Sequence, residues 1–398
     1  MKNYKLYFLV LIIFSIIARF FAILYFGDTE IEYEWRLILS NLEKYNTLGY
    51  RIHNGEVIPN IFMPPLYPIF LYLLKLISPS YFNFVNFVLY SQLMLSIISI
   101  YFFGKILDLF YERKISMVGN AIFSFFPLNV YSISQVTSVS LQVFLLVIFF
   151  YYFILFVKKQ KDLYLIIFSI FSGLIILLRG EFLLFYFFTL GYTFYLKRNL
   201  RKLFLSLILV VVFLSPYVVR NYKIFNEITI TKSFGYNLWK GNNNYIEGFN
   251  LRGIEGSDKF DDDINYELSK LKKTKYYDLN RDLIFKNLAI NNIKSEPSKY
   301  TKLYFKKLFG FLLVGKSEKK VNNHPLYVIP KLTLSVFTLF GIFYLFKDRK
   351  KLLNYFSLYY LGSIAFFSIF FILPRYTLMI LPVQIILSCY LIKRFNKF

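Results

Sequence analysis

The sequence predicts an all-α polytopic membrane protein with about ten transmembrane helices, juxtamembrane helices and a small mixed α/β extracytoplasmic domain. Three observations lead there. Apolar runs long enough to cross hydrocarbon, about 20 residues each, recur along a chain of 398 residues that is 57% hydrophobic and 22% aromatic. Runs such as "LVLIIFSIIARFFAILYF" and "LFLSLILVVVFLSPYVV" are apolar nearly all round, whereas the helices of a soluble enzyme keep a polar face. Basic residues gather in alternate loops, as the positive-inside rule requires.

The first run, residues 5–26, is too long for the apolar part of a cleavable signal and lacks a small-x-small cleavage site, so it reads as a signal-anchor and first span. Further spans are expected at 82–108, 116–133, 137–157, 162–179, 182–196, 203–218, 326–346, 352–372 and 375–392. Residues 66–78 are short and flanked by prolines, and read as an interfacial helix. With the N-terminus in the cytoplasm, every cytoplasmic loop is then basic: Lys105/Arg113/Lys114, Lys158/Lys159/Lys161, Lys197/Arg198/Arg201/Lys202, Lys347/Arg349/Lys350/Lys351 and Lys393/Arg394/Lys397. Counting 66–78 as a span would scatter these clusters over both sides.

This parity divides the chain into a membrane region over 1–218, which includes an outer loop at 27–80, an extracytoplasmic domain over 219–325, and membrane helices over 326–398. In the outer domain "EITITKSFGYNLW" reads as extended and "NYELSKLKKTKYYDLNRDLIFKNLAINNI" as helical.

The net charge of +24 does not point to nucleic acid, because the basic residues sit at the ends of apolar runs and suit topology and anionic lipid. The single cysteine, Cys389, excludes an intramolecular disulfide, and two histidines, His53 and His324, are too few for a His-rich metal site. Any metal, a divalent cation such as Mg or Mn, would need oxygen ligands; its residues are unknown, and no other cofactor is expected. Phosphate-binding glycine loops are absent from the sequence.

Directly after the first span stands "GDTEIEYEW". Thr29-x-x-Glu32 fits a capping box, and Glu32 and Arg36 are spaced for an i,i+4 ion pair. Ile31, Trp35, Ile38, Leu39 and Leu42 form the apolar face of a helix lying along the membrane. Capping needs one or two acids, and here Asp28, Glu30, Glu32 and Glu34 crowd a membrane boundary where carboxylates are costly unless paired, hydrated or metal-bound. They are candidate general bases or oxygen ligands. Arg179, Arg220 and Arg375 fall at outer ends of spans, against the positive-inside bias. Each could snorkel to headgroups, and together they suit a phosphate. The segment "GYNLWKGNNNY", 235–245, reads as a turn-rich loop whose Asn amides, Trp239 and Lys240 could contact sugar or phosphate. Acids and arginines at an outer membrane face call for a lipid-borne substrate, and a polyprenyl phosphate sugar meets that need. A transporter or lipid flippase, or a non-catalytic membrane component whose outer domain binds a glycan or a partner protein, are the other classes open to the sequence.

In the order and spacing of "GDTEIEYEWRLILSNL", "LGY" at 48–50, "FMPPLYPIFLYLL", "LLRGEF", "SPYVVRNYKIFNEITITKSFGYNLWKGNNNYIEG" and "PRYTLMILP", the sequence resembles the C-type glycosyltransferase superfamily (GT-C). It is similar to the branch with protein O-mannosyltransferases and the aminoarabinose transferase of lipid A. The resemblance implies a membrane bundle that transfers a sugar, usually with inversion, from a polyprenyl-phosphate donor to a glycan, lipid or protein acceptor outside the cytoplasm. It also implies an acidic residue after the first span as base or metal-linked group. Asp28 is the best positional match, and the role is shared with Glu30 and Glu32. Arg220, Arg375, Arg179 and Lys240 are then candidates to bind the donor phosphate. Tyr33, Pro65 and Tyr67 of the first outer loop, with Asn237, Trp239 and Asn242, would close over the sugar.

Overall fold

The computed structural model describes residues 2–49, 51–53, 56–81, 83–244, 260, 262–313 and 324–395. All ten apolar runs form helices: α1 (Lys2–Phe26), α4 (Phe84–Asp108), α5 (Arg113–Phe125), α7 (Val139–Lys159), α8 (Asp162–Leu178), α9 (Phe182–Lys197), α10 (Leu200–Phe225), α15 (Pro325–Asp348), α16 (Lys351–Phe367) and α17 (Thr377–Phe395). Six segments are long and apolar enough to cross a membrane by themselves: the apolar part of α1, α4, α7, α10, α15, and α17 with the turn before it. Helices α8 and α9 are shorter. The run expected over 116–133 is broken, because Pro127 opens a separate five-residue helix, α6 (Pro127–Tyr131); proline has no N–H to give the preceding turn and is at home at a helix start. A 3-10 turn, Ser132–Ser134, follows it.

Helix α7 is the centre of the bundle, with 83% of its apolar window buried, against 17% for α10 at the periphery. Around α7 the core is aromatic: Phe153 meets Tyr355 at 4.5 Å between ring centres, and Phe150 meets Tyr359 edge-on at 5.2 Å. Such pairs add about 0.5–1.5 kcal/mol each beyond the area they bury.

The two ends of the bundle differ in chemistry. At one end the basic loops converge: Lys202 pairs with Asp162 at 3.0 Å, Lys158 donates to the Leu109 carbonyl, and Arg394 pairs with Asp348. At the other end lie α2 (Tyr33–Tyr45), a two-stranded antiparallel ribbon of β1 (Arg51–His53) and β2 (Glu56–Ile58), and α3 (Leu66–Ile77). With them lie α11 (Phe234–Gly241), α12 (Asp262–Ser269), α13 (Tyr277–Ser295) and α14 (Pro297–Leu312).

The strand expectation for 219–325 is corrected. The described residues of that region carry no strand, and the ribbon sits in the first outer loop instead. An extended pattern needs a partner to become a strand. Here the Asn221 amide takes the Thr229 carbonyl at 2.7 Å, and Lys232 N–H donates to the Ile61 carbonyl at 2.8 Å, so the segment is spent on single tertiary bonds.

Residues 234–241, expected as a turn-rich loop, are helical. Their glycines serve close approach: a Cβ on Gly235 would lie 2.0 Å from the Asp282 carbonyl oxygen, and one on Gly241 2.0 Å from that of Phe370. Asp282 Oδ1 accepts the Tyr236 N–H at 2.9 Å and holds the first turn of α11. A second small core forms there from Leu238, Trp239, Ile264, Phe285 and Ala289. Tyr50 and Tyr245, at the ends of two quoted motifs, lie outside the described residues.

Candidate active site

Helix α1 ends at Phe26, and Gly27 lets the chain turn out, since a Cβ there would stand 2.3 Å from the Ile23 carbonyl oxygen. Asp28 is then stitched to the segment before α7. Its N–H donates to the Ser134 carbonyl at 2.9 Å, and its Oδ2 accepts the Val136 N–H at 2.7 Å. Gln135 reinforces the join through the Phe26 carbonyl at 2.9 Å. The capping box expected at Thr29 and Glu32 is therefore not formed: α2 starts at Tyr33, and Glu32 stands before it without a side-chain cap bond. Arg36 pairs with Glu30 at 3.3 Å in place of Glu32, both exposed, a pair worth little in water. The apolar face holds, with Ile31, Ile38 and Leu39 buried.

Tyr67 and Pro65 come from the start of α3. Tyr67 is buried and lies within electrostatic reach of both Asp28 and Glu32. Its hydroxyl donates to Gln92 Oε1 at 3.4 Å, and the Trp35 ring stands edge-on to it at 5.2 Å. Gln92 in turn donates to the carbonyls of Ile133 and Gln135, at 3.3 and 2.9 Å, and so fixes the strap that holds Asp28. Pro65 is buried, while Tyr33 is exposed beside Arg36.

Arg179 ends α8. Its Nε donates to Gln142 Oε1 on α7 at 3.0 Å, its Nη1 pairs with Glu181 at 3.5 Å, and its guanidinium lies 5.8 Å from the centre of the Tyr376 ring. Arg375, solvent-exposed on the 3-10 turn Pro374–Tyr376, interacts electrostatically with Tyr376, Arg179 and Glu32. Glu32 from the first outer loop and Arg179 at the end of α8 thus lie within electrostatic reach of Arg375, before α17, at one end of the bundle.

The other sequence candidates fall elsewhere. Arg220 lies inside α10, which runs to Phe225, and spends its donors on the Asn60 carbonyl at 2.8 Å, Asn221 Oδ1 at 2.7 Å and the Leu48 carbonyl at 3.3 Å. It clamps the first outer loop. Trp239 is sealed in the small core against Phe285 at 4.8 Å, and Asn242 is buried, bonding the carbonyls of Leu238 and Ile369 at 2.8 and 2.9 Å. Both complete packing that α11 needs, and Asn242 also lines a cavity with Tyr300, Tyr304 and Ile369. Lys240 lies over the Phe371 ring at 5.1 Å, one aromatic layer from Tyr376, and Asn237 is half-buried on α11.

The sequence reading missed Gln92, Gln135, Gln142, Glu181 and Tyr376. A signal existed for two of them: Gln92 and Gln142 interrupt apolar runs, where an amide is costly unless it has work to do. It also missed Lys307, fully buried on α14, whose ammonium meets Gly241 O and Asn242 Oδ1 at 3.1 Å each, Ile369 O at 3.3 Å and Phe370 O at 2.5 Å.

Among the described residues no three Asp, Glu, His or Cys side chains converge on a point. Asp28 already gives one oxygen to a backbone N–H, and Glu30 faces Arg36. This donor set does not make a divalent-cation cage.

No protein-family model and no curated protein matches the chain in sequence. Solved structures do match in fold. The crystal structure of the Archaeoglobus fulgidus oligosaccharyltransferase, tethered to an acceptor peptide containing the NVT sequon, superposes with a TM-score of 0.59 at 14% identity, over 99% of this chain and 50% of that one. The archaeal oligosaccharyltransferase AglB from the same organism, in complex with an inhibitory peptide and a dolichol-phosphate, gives 0.56 at 14% identity, over 99% and 51%. The chain shares its fold with these oligosaccharyltransferases. The chain spans about half the length of the solved structures it matches. At this identity the likeness establishes the fold alone, and the site must be argued from its own residues.

Proposed function

We propose that the chain is a membrane glycosyltransferase that moves a sugar from a polyprenyl-phosphate donor to an acceptor outside the cytoplasm by inverting displacement. The observation that carries this reading is that Asp28 and Glu32 lie within electrostatic reach of Tyr67, and Glu32 and Arg179 within electrostatic reach of Arg375, at one end of the bundle. One part of that site can take a proton and the other can take an anion, and a glycosyl phosphate needs both.

In this reading the carboxylate of Asp28, held by Val136, takes the proton from an acceptor hydroxyl. The acceptor oxygen forms a bond to the anomeric carbon as the bond from that carbon to the phosphate oxygen breaks. The electron pair leaves with the polyprenyl phosphate, whose charge Arg375 and Arg179 stabilise. Glu32, close to Arg375, is placed to orient that guanidinium and to share the proton role. Holding Asp28 in place through the Val136 N–H supplies orientation that solution lacks. The two solved relatives in fold, bound to an acceptor-type peptide and to dolichol-phosphate, support a lipid-phosphate donor and leave peptide among the acceptor classes.

The test is covalent transfer by the purified chain in detergent, offered a panel of polyprenyl phosphate sugars and a membrane extract as acceptor. A product heavier by one sugar, made by the wild type and lost in a folded Asp28→Asn variant, supports the reading. Intact donors throughout, together with movement of donor across a vesicle membrane, would replace it with a flippase.

A further inference from the structure

Gln142 stands in the first turn of the apolar helix α7 and is only 2% exposed. Its amide orientation is fixed by chemistry. Arginine has donors and no acceptor, so the group facing Arg179 Nε at 3.0 Å must be the carbonyl oxygen Oε1. The amide nitrogen Nε2 shares its carbon with that oxygen and therefore lies in the same neighbourhood. It has no hydrogen-bond partner among the described residues. A buried N–H without an acceptor costs about 1–3 kcal/mol.

The surroundings say what the missing acceptor is. Arg179 and Arg375 bring two guanidinium groups to Tyr376, and among the described residues the carboxylate paired with Arg179, Glu181, is already engaged with its Nη1 at 3.5 Å. An acceptor-only anion with several oxygens would answer the orphan N–H and the guanidinium groups at once. We infer that Gln142 donates through Nε2 to the phosphate of the polyprenyl donor, making it a ligand of the leaving group beside Arg179 and Arg375. This rests on the glycosyltransferase reading above and adds to it a residue from the central helix. Gln142 then couples the two parts of the site, because α7 begins directly after the Gln135–Val136 strap that holds Asp28. Arrival of the phosphate would satisfy a donor in the first turn of the helix that follows the strap holding the base.

The experiment titrates a short-chain polyprenyl phosphate, with the matching neutral polyprenol as control, into the full chain in detergent and reads the dissociation constant calorimetrically. Wild type is expected to prefer the phosphate. Gln142→Leu is expected to weaken phosphate binding about tenfold, the loss typical of a hydrogen bond to a charged group, and to leave polyprenol binding unchanged. The same loss should appear when Gln142→Leu is added to an Arg179→Ala chain. Gln142→Glu, which is isosteric and keeps the acceptor for Arg179, is expected to bind at least about tenfold more weakly. Wild-type affinity in either single variant would show that Nε2 meets only a buried water, and would overturn the inference. An effect that vanishes in the Arg179→Ala background would overturn it too, leaving Gln142 as a positioning residue for the arginine. If the wild type fails to prefer phosphate over polyprenol, the anion role of the arginines falls first and the inference with it.

Discussion

Asp28 owes its standing among four neighbouring acids to one hydrogen bond. Its Oδ2 is held by the Val136 N–H, whereas Glu30 is engaged at the surface by Arg36. The site therefore predicts unequal variants: Asp28→Asn lowers transfer by about 100-fold or more, the usual scale for a positioned general base. Glu30→Gln stays within about twofold of wild type, as the loss of an exposed pair should. Mass-resolved product formation per minute checks both. Glu32→Gln lies between them, because Glu32 acts on Arg375 across the site. Equal losses at Asp28 and Glu30 would show that the Val136 bond does not select the base.

At the scale of the elements, α11 and α14 are locked together by Lys307, which joins the end of α11 to the Ile369–Phe370 carbonyls after α16. Burial pushes the Lys307 ammonium down to about 7 from 10.5. Between these values the unfolded chain binds a proton that the folded chain has released, so this residue makes stability rise with pH from about 7 towards 10.5. Below that window both forms are protonated and the burial cost is present in full. Thermal unfolding midpoints across this range, compared between wild type and Lys307→Met, should show the upward slope in the wild type alone. Gly241→Ala strikes the same junction, since its Cβ would lie 2.0 Å from the Phe370 carbonyl oxygen. Overpacking of this kind costs about 1–3 kcal/mol, and the midpoint should fall accordingly.

For the whole molecule, the basic loops gather at one end of the bundle and the acids, arginines and helices α11–α14 at the other. From the positive-inside rule we propose that the first end lies in the cytoplasm. Cys389 is buried, which leaves the surface of the described residues free of thiols. In a Cys389→Ser chain, Lys273→Cys, exposed between α12 and α13, should react with an impermeant maleimide on intact cells. Lys350→Cys, exposed between α15 and α16, should react only after the membrane is opened. The reverse pattern would turn the site to the cytoplasm and remove the need for a lipid-borne donor.

The sequence by itself determined the membrane class, the ten helical runs and the place of the acid cluster, because apolar length and charge at helix ends are local quantities. It also brought Asp28, Arg179 and Arg375 into view as groups too costly to leave at a membrane boundary without partners. What only the tertiary structure decided was partnership. Arg220, Trp239 and Asn242 look like Arg375 or Gln142 in composition, and packing alone assigns the first three to holding loops and cores. The helix at 234–241 likewise depends on Asp282 and Phe370, far along the chain. Hydrogen bonds across long separations carry no sequence period, so their outcome appears only when the helices are packed.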